Sequence, residues 1–216
     1  MKPIASLVAG AVLACSIGTI AAPAAAAEAP DALVKRVFTD MVEAVKADPA
    51  LRAGDRRKAA ALVESQLLPH IAFQHMTAIA VGRSWRQATP EQQMRLVSEF
   101  RDLVVHAYAD ALLQAADGTP AFVPLRIHPA DSDVEVRTQV AMAGAAPLAF
   151  GYRLEKGAHE DWKIYDIKVM DAWLVETMKP SFGAEINRGG IDALLAGLRE
   201  RNRRWEATLL PAQRRQ

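Results

Sequence analysis

The chain of 216 residues is poor in cysteine and has no surplus of charge of either sign. Its one cysteine, Cys15, excludes a small protein held together by disulfides. Its 26 Lys and Arg residues are balanced by 25 Asp and Glu residues, whereas a protein that binds a nucleic-acid backbone needs a basic surface. With 51% apolar and 24% charged residues, the composition is typical of one globular domain with a large core.

Sequence motifs for metal, nucleotide and acyl-transfer chemistry are also missing. There is no His-Glu-x-x-His, no Asp-rich calcium loop, no Walker loop, no Gly-x-Gly-x-x-Gly and no Gly-x-Ser-x-Gly. The histidines do not have the spacing of a metal site; they are His70, His75, His106, His128 and His159. The sequence therefore predicts no metal and no cofactor.

Residues 1–27 contain a single charged side chain, Lys2. An apolar stretch over residues 4–20 follows it and the segment ends in Ala-Ala-Ala, which is the order typical of a cleaved secretory signal. A retained inner-membrane anchor is the main alternative, and lipidation at Cys15 is a weaker one because apolar residues follow it. We therefore expect a cleaved export signal, a single domain over residues 28–216 and a periplasmic protein.

The first half of this domain has helical periodicity, because apolar residues recur every three to four positions. Asp31 is placed to begin the first helix, and Pro69 and Gly82 are placed to end the second and third. The strongest start is Thr89, followed by Pro at the first helical position and by Gln92 at the position of a capping box. The predicted helices cover about residues 31–47, 55–68, 73–81 and 89–117.

The second half changes to the alternating pattern of β-strands joined by short turns. Helical spacing then returns over residues 174–186 and 191–204, on either side of Gly189 and Gly190. The predicted fold class is α+β, with N-terminal helices and one long helix packed on a four-stranded antiparallel sheet, followed by C-terminal helices. The predicted strands cover about residues 121–128, 133–142, 148–155 and 162–169.

Large apolar residues are plentiful on both the long helix and the sheet. Periodicity alone favours an ordinary solid core, because it cannot show whether the helix lies flush on the sheet or leaves a cavity. The best enzymatic candidates are Tyr165 and Asp166 on the last predicted strand, as acid or base. Neighbouring residues on a strand point to opposite faces, so at most one of them would enter a pocket, and a structural role is the favoured interpretation.

Five segments of the chain occur in a recognisable order: ESQLLPHI, VGRSWRQATPEQQ, FRDL followed by AY, WKIYD and GGIDAL, which cover residues 64–71, 81–93, 100–108, 162–166 and 189–194. In this order they resemble the MlaC family of periplasmic phospholipid-binding proteins, also called the toluene-tolerance auxiliary family. The match in order and spacing extends from about residue 33 to residue 202, which is nearly the whole predicted domain.

The resemblance implies a fold similar to the NTF2-like cone, with an apolar cavity that holds the acyl chains of a glycerophospholipid. It implies a carrier rather than an enzyme, shuttling between an outer-membrane lipoprotein–porin complex and an inner-membrane ABC transporter with an MCE-domain ring, and so maintaining outer-membrane lipid asymmetry. A hopanoid or other lipid is an alternative ligand, because the family has a hopanoid-associated branch. A small NTF2-like enzyme using Tyr165 or Asp166 is the alternative of a different class.

We expect the lipid to contact the long helix, the sheet and the segments beside them. Val104→Glu or Tyr108→Glu is then expected to reduce lipid loading. Trp173 stands where the family usually has a serine, and Pro180 removes a backbone donor from the following helix. The predicted lipid-binding residues are Val81, Trp85, Phe100, Val104, Tyr108, Phe150, Tyr152, Tyr165, Ile167 and Trp173.

Overall fold

The computed structural model describes residues 28–128, 130–157, 161–169 and 171–209, so the predicted export signal lies outside the described residues. The predicted helices are confirmed, with two short 3-10 helices and one four-residue α-helix in addition. The α-helices are α1 Pro30–Ala47, α2 Pro49–Arg52, α3 Arg56–Gln66, α4 Phe73–Val81, α5 Pro90–Ala115 and α6 Leu174–Leu209, and the 3-10 helices are Leu68–His70 and Gly82–Gln87.

The helix ends follow local sequence signals in most cases. The capping box at the start of α5 is confirmed: the Gln92 backbone N–H donates to Thr89 Oγ1 at 3.2 Å, and the Thr89 N–H donates to Gln92 Oε1 at 3.0 Å. Gly82 follows α4 with φ +64°, a conformation that favours glycine. The predicted cap Asp31 is wrong, because α1 begins at Pro30, whose fixed φ suits the first helical position.

The strands form one antiparallel sheet in the order β1-β2-β3-β4-β5. The prediction of four strands is corrected to five, because Trp173 and Ala172 pair with the end of β4. The first strand ends at Phe122 and does not continue over residues 123–128; Pro124 has no N–H to donate to the ladder. The strands are β1 Thr119–Phe122, β2 Asp133–Ala141, β3 Leu148–Lys156, β4 Trp162–Val169 and β5 Ala172–Trp173.

A β-bulge interrupts β4 at Tyr165. Leu154 pairs with Ile164 and the preceding Arg153 pairs with Asp166, so Tyr165 is the extra residue on its strand. Because a bulge shifts the alternation by one residue, Ile164 and Ile167 both face the helices although they lie three positions apart. Tyr165 and Asp166 consequently share the opposite side of the sheet, which we call the outer face.

Helix α6 is kinked where the sequence has Gly189 and Gly190, and the second of these has φ +72°. The two arms are joined by an ion pair, in which Arg201 Nη1 donates to Glu185 Oε1 at 2.7 Å. The first arm packs against α5, where the rings of Phe100 and Phe182 meet edge to face with centroids 5.6 Å apart. Among the described residues, no helix has the length and hydropathy needed to cross a membrane.

Candidate functional site

A narrow apolar cavity lies between α1, α5 and the inner face of the sheet. Its volume is about 60 Å³, and none of its thirteen lining residues carries a charge. The only lining hydroxyls are those of Tyr108 and Tyr152. The lining consists of Val34, Val37, Phe38, Met41, Leu67, Tyr108, Ala111, Leu112, Ala115, Phe150, Tyr152, Ile164 and Ile167.

Each wall of the cavity follows from the periodicity of its element. On α5, Tyr108, Leu112 and Ala115 lie three or four residues apart and so share one helix face. On β3, Phe150 and Tyr152 lie two residues apart, which places them on one face of the sheet. The bulge in β4 adds Ile164 and Ile167 to the same wall. The cavity shows that the C-terminal half of α5 does not lie flush on the sheet.

The two tyrosines keep the cavity free of charge. Burial raises the pKa of Tyr152, and it raises the pKa of Tyr108 well above its usual range. Both hydroxyls therefore stay protonated at neutral pH. A cavity with this lining excludes ions, because an unpaired charge in an apolar environment costs several kcal/mol or more.

An aromatic cluster closes the cavity on the side of the β1 edge. Phe38 of α1 meets Phe122 of β1 with ring centroids 6.1 Å apart and Phe150 of β3 with centroids 6.0 Å apart, both edge to face. Phe38 and Ala111 are half-buried, whereas the other eleven lining residues are buried. These two residues therefore mark the rim where the cavity approaches the solvent.

Four of the ten predicted lipid-binding residues line this cavity, namely Tyr108, Phe150, Tyr152 and Ile167. The other six lie outside this lining. The sequence analysis missed the contribution of α1, although the 3.6-residue pattern of Val34, Val37, Phe38 and Met41 was a visible signal. It predicted an apolar helix face but gave no indication that this face would cover a cavity.

The predicted residues Val81, Phe100 and Val104 belong to the solid core instead of the cavity wall. Phe100 and Val104 are completely buried, because the N-terminal half of α5 packs directly against neighbouring helices. Trp85 is half-buried on the surface, where it borders two open grooves beside α4 and the start of α5. None of these four side chains lines the cavity described here.

Tyr165 lies on the outer face, in a polar cluster. Its hydroxyl donates to Asp133 Oδ2 at 2.7 Å, and its ring stacks on His75 with centroids 5.0 Å apart. His75 Nδ1 in turn lies 2.8 Å from Glu155 Oε2. Burial and the Asp133 carboxylate raise the pKa of Tyr165 to about 12, which makes its hydroxyl a poor proton donor at neutral pH.

Asp166 has a structural role at the start of α6. Its Oδ1 accepts the backbone N–H groups of Ile167 at 2.9 Å and Val175 at 3.1 Å, and its Oδ2 lies 3.5 Å from Arg153 Nη1. Burial raises the pKa of Asp166, while these donors hold its carboxylate in place. Neither enzymatic candidate is part of the cavity lining.

Trp173 also lies on the outer face. The guanidinium carbon of Arg153 lies 4.0 Å from the centroid of its ring, and Lys168 Nζ lies 5.7 Å from it. The ring also covers Gly151, where a Cβ atom would lie 3.3 Å from the indole. The large side chain at this position therefore packs against the back of the sheet and takes no space from the cavity.

Comparison with known proteins gives consistent results. The chain matches the family model described as MlaC protein over residues 35–200. A relative from Haemophilus influenzae, named intermembrane phospholipid transport system binding protein MlaC, is 20% identical over 179 residues, which cover 82% of this chain and 84% of that protein.

A solved structure extends this comparison to the fold. It is the phospholipid-binding protein from Ralstonia solanacearum in complex with a phospholipid, which is 40% identical and superposes with a TM-score of 0.74. The alignment covers 82% of this chain and 98% of that chain. By its sequence and its fold, the chain belongs to the MlaC family.

Proposed function

We propose that this protein binds a glycerophospholipid, with the acyl chains in the cavity between α1, α5 and the sheet and with the headgroup at the surface. The observation that carries the proposal is the lining of the cavity, whose thirteen residues include no charged side chain. Acyl chains can enter such a space without burying an unpaired charge. The phospholipid in the Ralstonia solanacearum relative, which is 40% identical, supports the same ligand class.

The energetics of a diacyl lipid require enclosure of this kind. Two chains of about fifteen methylenes each lose roughly 24 kcal/mol when they leave an apolar environment for water, at about 0.8 kcal/mol per methylene. A polar groove could not offset that cost. A carrier must therefore surround both chains with apolar side chains. Its affinity for the lipid must also be comparable to that of a membrane, because otherwise the lipid could not be released.

Loading requires the cavity to widen. Its volume of about 60 Å³ is below the roughly 300–1,000 Å³ of pockets that enclose drug-sized ligands. Helix α1 is the wall that we expect to move, because β3 and β4 are fixed by the sheet. Helix α5 is fixed to α3, where Arg56 donates to both carboxylate oxygens of Asp110 at 2.7 and 2.6 Å.

We propose that the protein is a lipid shuttle in the periplasm. It would reach the periplasm by means of the export signal expected in residues 1–27. Its proposed partners are an outer-membrane lipoprotein–porin complex and an inner-membrane ABC transporter with an MCE-domain ring, so that transfer maintains outer-membrane lipid asymmetry. The name of the Haemophilus influenzae relative, which refers to intermembrane phospholipid transport, supports this role. The driving force would come from a partner, because the sequence has no Walker loop.

The full chain, expressed with its own leader and purified from the periplasmic fraction, tests the proposal. Native mass spectrometry is expected to show a co-purified glycerophospholipid, and delipidated protein is expected to take up phospholipid from vesicles. A folded protein that is empty after purification and takes up no phospholipid would overturn the proposal. A polycyclic lipid such as a hopanoid, bound in preference to phospholipid, would overturn the ligand class but not the carrier role.

A further inference from the structure

We infer that Lys35 binds the phosphate group of the lipid at the rim of the cavity. This inference rests on the proposed function, and it identifies which side of the cavity the headgroup occupies. No lining residue is charged, so a phosphate cannot be accommodated inside. The phosphate must therefore remain at the rim, where the half-buried residues Phe38 and Ala111 mark the approach to solvent.

The geometry places Lys35 beside the aromatic cluster that closes this rim. Its Nζ lies 5.9 Å from the ring centroid of Phe122, and Phe122 packs against Phe38. A cation at this distance from an aromatic face is attracted to it, which favours a position of the exposed amine beside the rim. Phe38 lines the cavity, so displacement of its ring would open the cavity beside the aromatic cluster that Lys35 contacts.

Lys35 is also the basic residue of α1 that is available for an anion. Within the described part of the chain it makes no ion pair, whereas the neighbouring Arg36 donates to both carboxylate oxygens of Glu28 at 2.9 and 2.8 Å. Lys46 lies three turns away, in the last turn of the same helix. The three cations of α1 therefore differ in position and in partner, and only Lys35 combines a rim position with a free charge.

The opposite part of the rim, near Ala111, offers no equivalent group. Residues 107–115 of α5 contain no lysine and no arginine, and the nearby Asp110 is negative. Arg56, which pairs with Asp110, uses its Nε and Nη2 for that carboxylate. An anionic headgroup is therefore attracted to the α1 side, and an emerging lipid would be oriented with its phosphate towards Lys35.

Lys35→Ala, Lys35→Glu and Lys35→Arg test this inference, and Lys46→Ala and Lys46→Glu are the matched controls on the same helix. Delipidated proteins receive dioleoyl phosphatidylglycerol or dioleoylglycerol from cyclodextrin, and bound lipid is measured by native mass spectrometry. The two lipids share their acyl chains and differ in the phosphate-containing headgroup. Circular dichroism checks that each variant is folded; Lys35 is exposed, so its replacement leaves the core intact.

We expect Lys35→Ala to weaken phosphatidylglycerol binding about two- to fivefold, the range of an exposed ion pair, and Lys35→Glu to weaken it about tenfold. Binding of dioleoylglycerol is expected to be unchanged, Lys35→Arg is expected to restore binding, and both Lys46 variants are expected to behave as the parent protein. Equal losses for both lipids, or no loss for phosphatidylglycerol, would overturn the inference while leaving the carrier function intact. Failure of the parent protein to bind either lipid would instead overturn the proposed function.

Inorganic phosphate alone separates a headgroup site from a site for free phosphate. The amide resonances around Lys35 in delipidated protein are expected not to shift when inorganic phosphate is added at millimolar concentration. This is because a single exposed lysine binds phosphate weakly when no acyl chains hold the phosphate nearby. Saturable shifts that disappear in Lys35→Ala would show a free-phosphate site and would overturn the assignment to the headgroup.

Discussion

Glu185 and Arg201 join the two arms of α6 across its glycine kink, with Arg201 Nη1 2.7 Å from Glu185 Oε1. The side chain of Glu185 is only 10% exposed, so the carboxylate depends on this partner. Gly197 lies directly opposite, because a Cβ atom there would collide with Glu185 Oε2. The absence of a side chain at position 197 therefore leaves room for the ion pair that holds the arms together.

The first prediction concerns this arrangement. Gly197→Ala should stabilise an ordinary helix by about 1 kcal/mol, but here it displaces the Glu185 carboxylate from Arg201. We therefore expect no gain, or a loss, in the parent protein and a gain of about 1 kcal/mol in the Glu185→Ala background. Urea unfolding of the four proteins of this double-mutant cycle measures the difference.

Gly183→Ala is the matched control, because a Cβ atom at Gly183 meets nothing within 4 Å. It is expected to stabilise both backgrounds equally. If Gly197→Ala stabilised the parent protein as much as Gly183→Ala does, the close approach of Gly197 to Glu185 would have no energetic importance.

The second prediction tests the wall of the cavity on α5. Ala111→Glu places a charge at the half-buried rim and is expected to lower phospholipid uptake at least about tenfold, because the charge would have to be desolvated beside the acyl chains. Ala107→Glu, one turn earlier and exposed, is expected to leave uptake unchanged. Uptake from fluorescent phospholipid vesicles provides the measurement.

Val104→Glu and Tyr108→Glu are expected to have different effects. Val104 is completely buried in the core, so Val104→Glu is expected to prevent folding. Tyr108 lines the cavity, so Tyr108→Glu is expected to reduce loading in whatever fraction folds.

Normal uptake by Ala111→Glu together with a loss in Ala107→Glu would show that the face of α5 has been assigned wrongly.

The third prediction concerns the movement of α1. Cysteines introduced as Phe38→Cys and Phe122→Cys replace two rings whose centroids are 6.1 Å apart. A short reducible crosslinker between them would tie α1 to β1 and is expected to block phospholipid uptake. Reduction of the crosslink is expected to restore uptake, which separates the effect of the crosslink from that of the substitutions. Undiminished uptake by the crosslinked protein would exclude α1 as the moving wall.

The fourth prediction concerns pH. Burial lowers the pKa of His106, whose ring stacks on Trp205 with centroids 3.9 Å apart, and burial also lowers the pKa of His70. The unfolded state therefore binds these protons more readily than the folded state. Proton uptake by these two histidines in the unfolded state therefore lowers the free energy of unfolding as the pH falls below about 6.5, whereas above that pH both states are unprotonated and the full stability is present.

His106→Phe keeps an aromatic ring against Trp205 but cannot be protonated. We expect its melting temperature to fall less than that of the parent protein between pH 7 and pH 5, in calorimetric scans over this range. His70→Phe is expected to have a further effect of the same sign when combined with it. An identical pH dependence in the parent protein and both variants would contradict the assignment.

The helices and strands could be predicted from the sequence more reliably than the contacts between them. The alternation of Phe150 and Tyr152 and the capping box at Thr89 are local signals, so both β3 and the start of α5 could be located without coordinates. The face of α5 could also be predicted, but not the point at which it changes from solid packing at Phe100 to a cavity wall at Tyr108. That change depends on which elements lie opposite, and periodicity carries no such information.

The bulge in β4 was not predictable from the pattern either. A strict two-residue alternation assigns Tyr165 and Asp166 to different faces, whereas the extra residue assigns both to the outer face. Trp173 was included among the expected lining residues and stands where the resembled family usually has a serine. Its position against Arg153 depends on β5, a strand of two residues that leaves no periodic signal.

The bulge has a consequence for how this chain can change in length. Removal of Tyr165 would leave Ile164, Asp166 and Ile167 in regular alternation, so that Asp166 would stay on the outer face and Ile167 on the inner face. A deletion of this one residue is therefore compatible with the present order of polar and apolar side chains, whereas a one-residue deletion outside the bulge would turn the residues on one side of it to the opposite face. Strand β4 could therefore lose the residue that carries the Tyr165 hydroxyl without any change in the side chains that line the cavity.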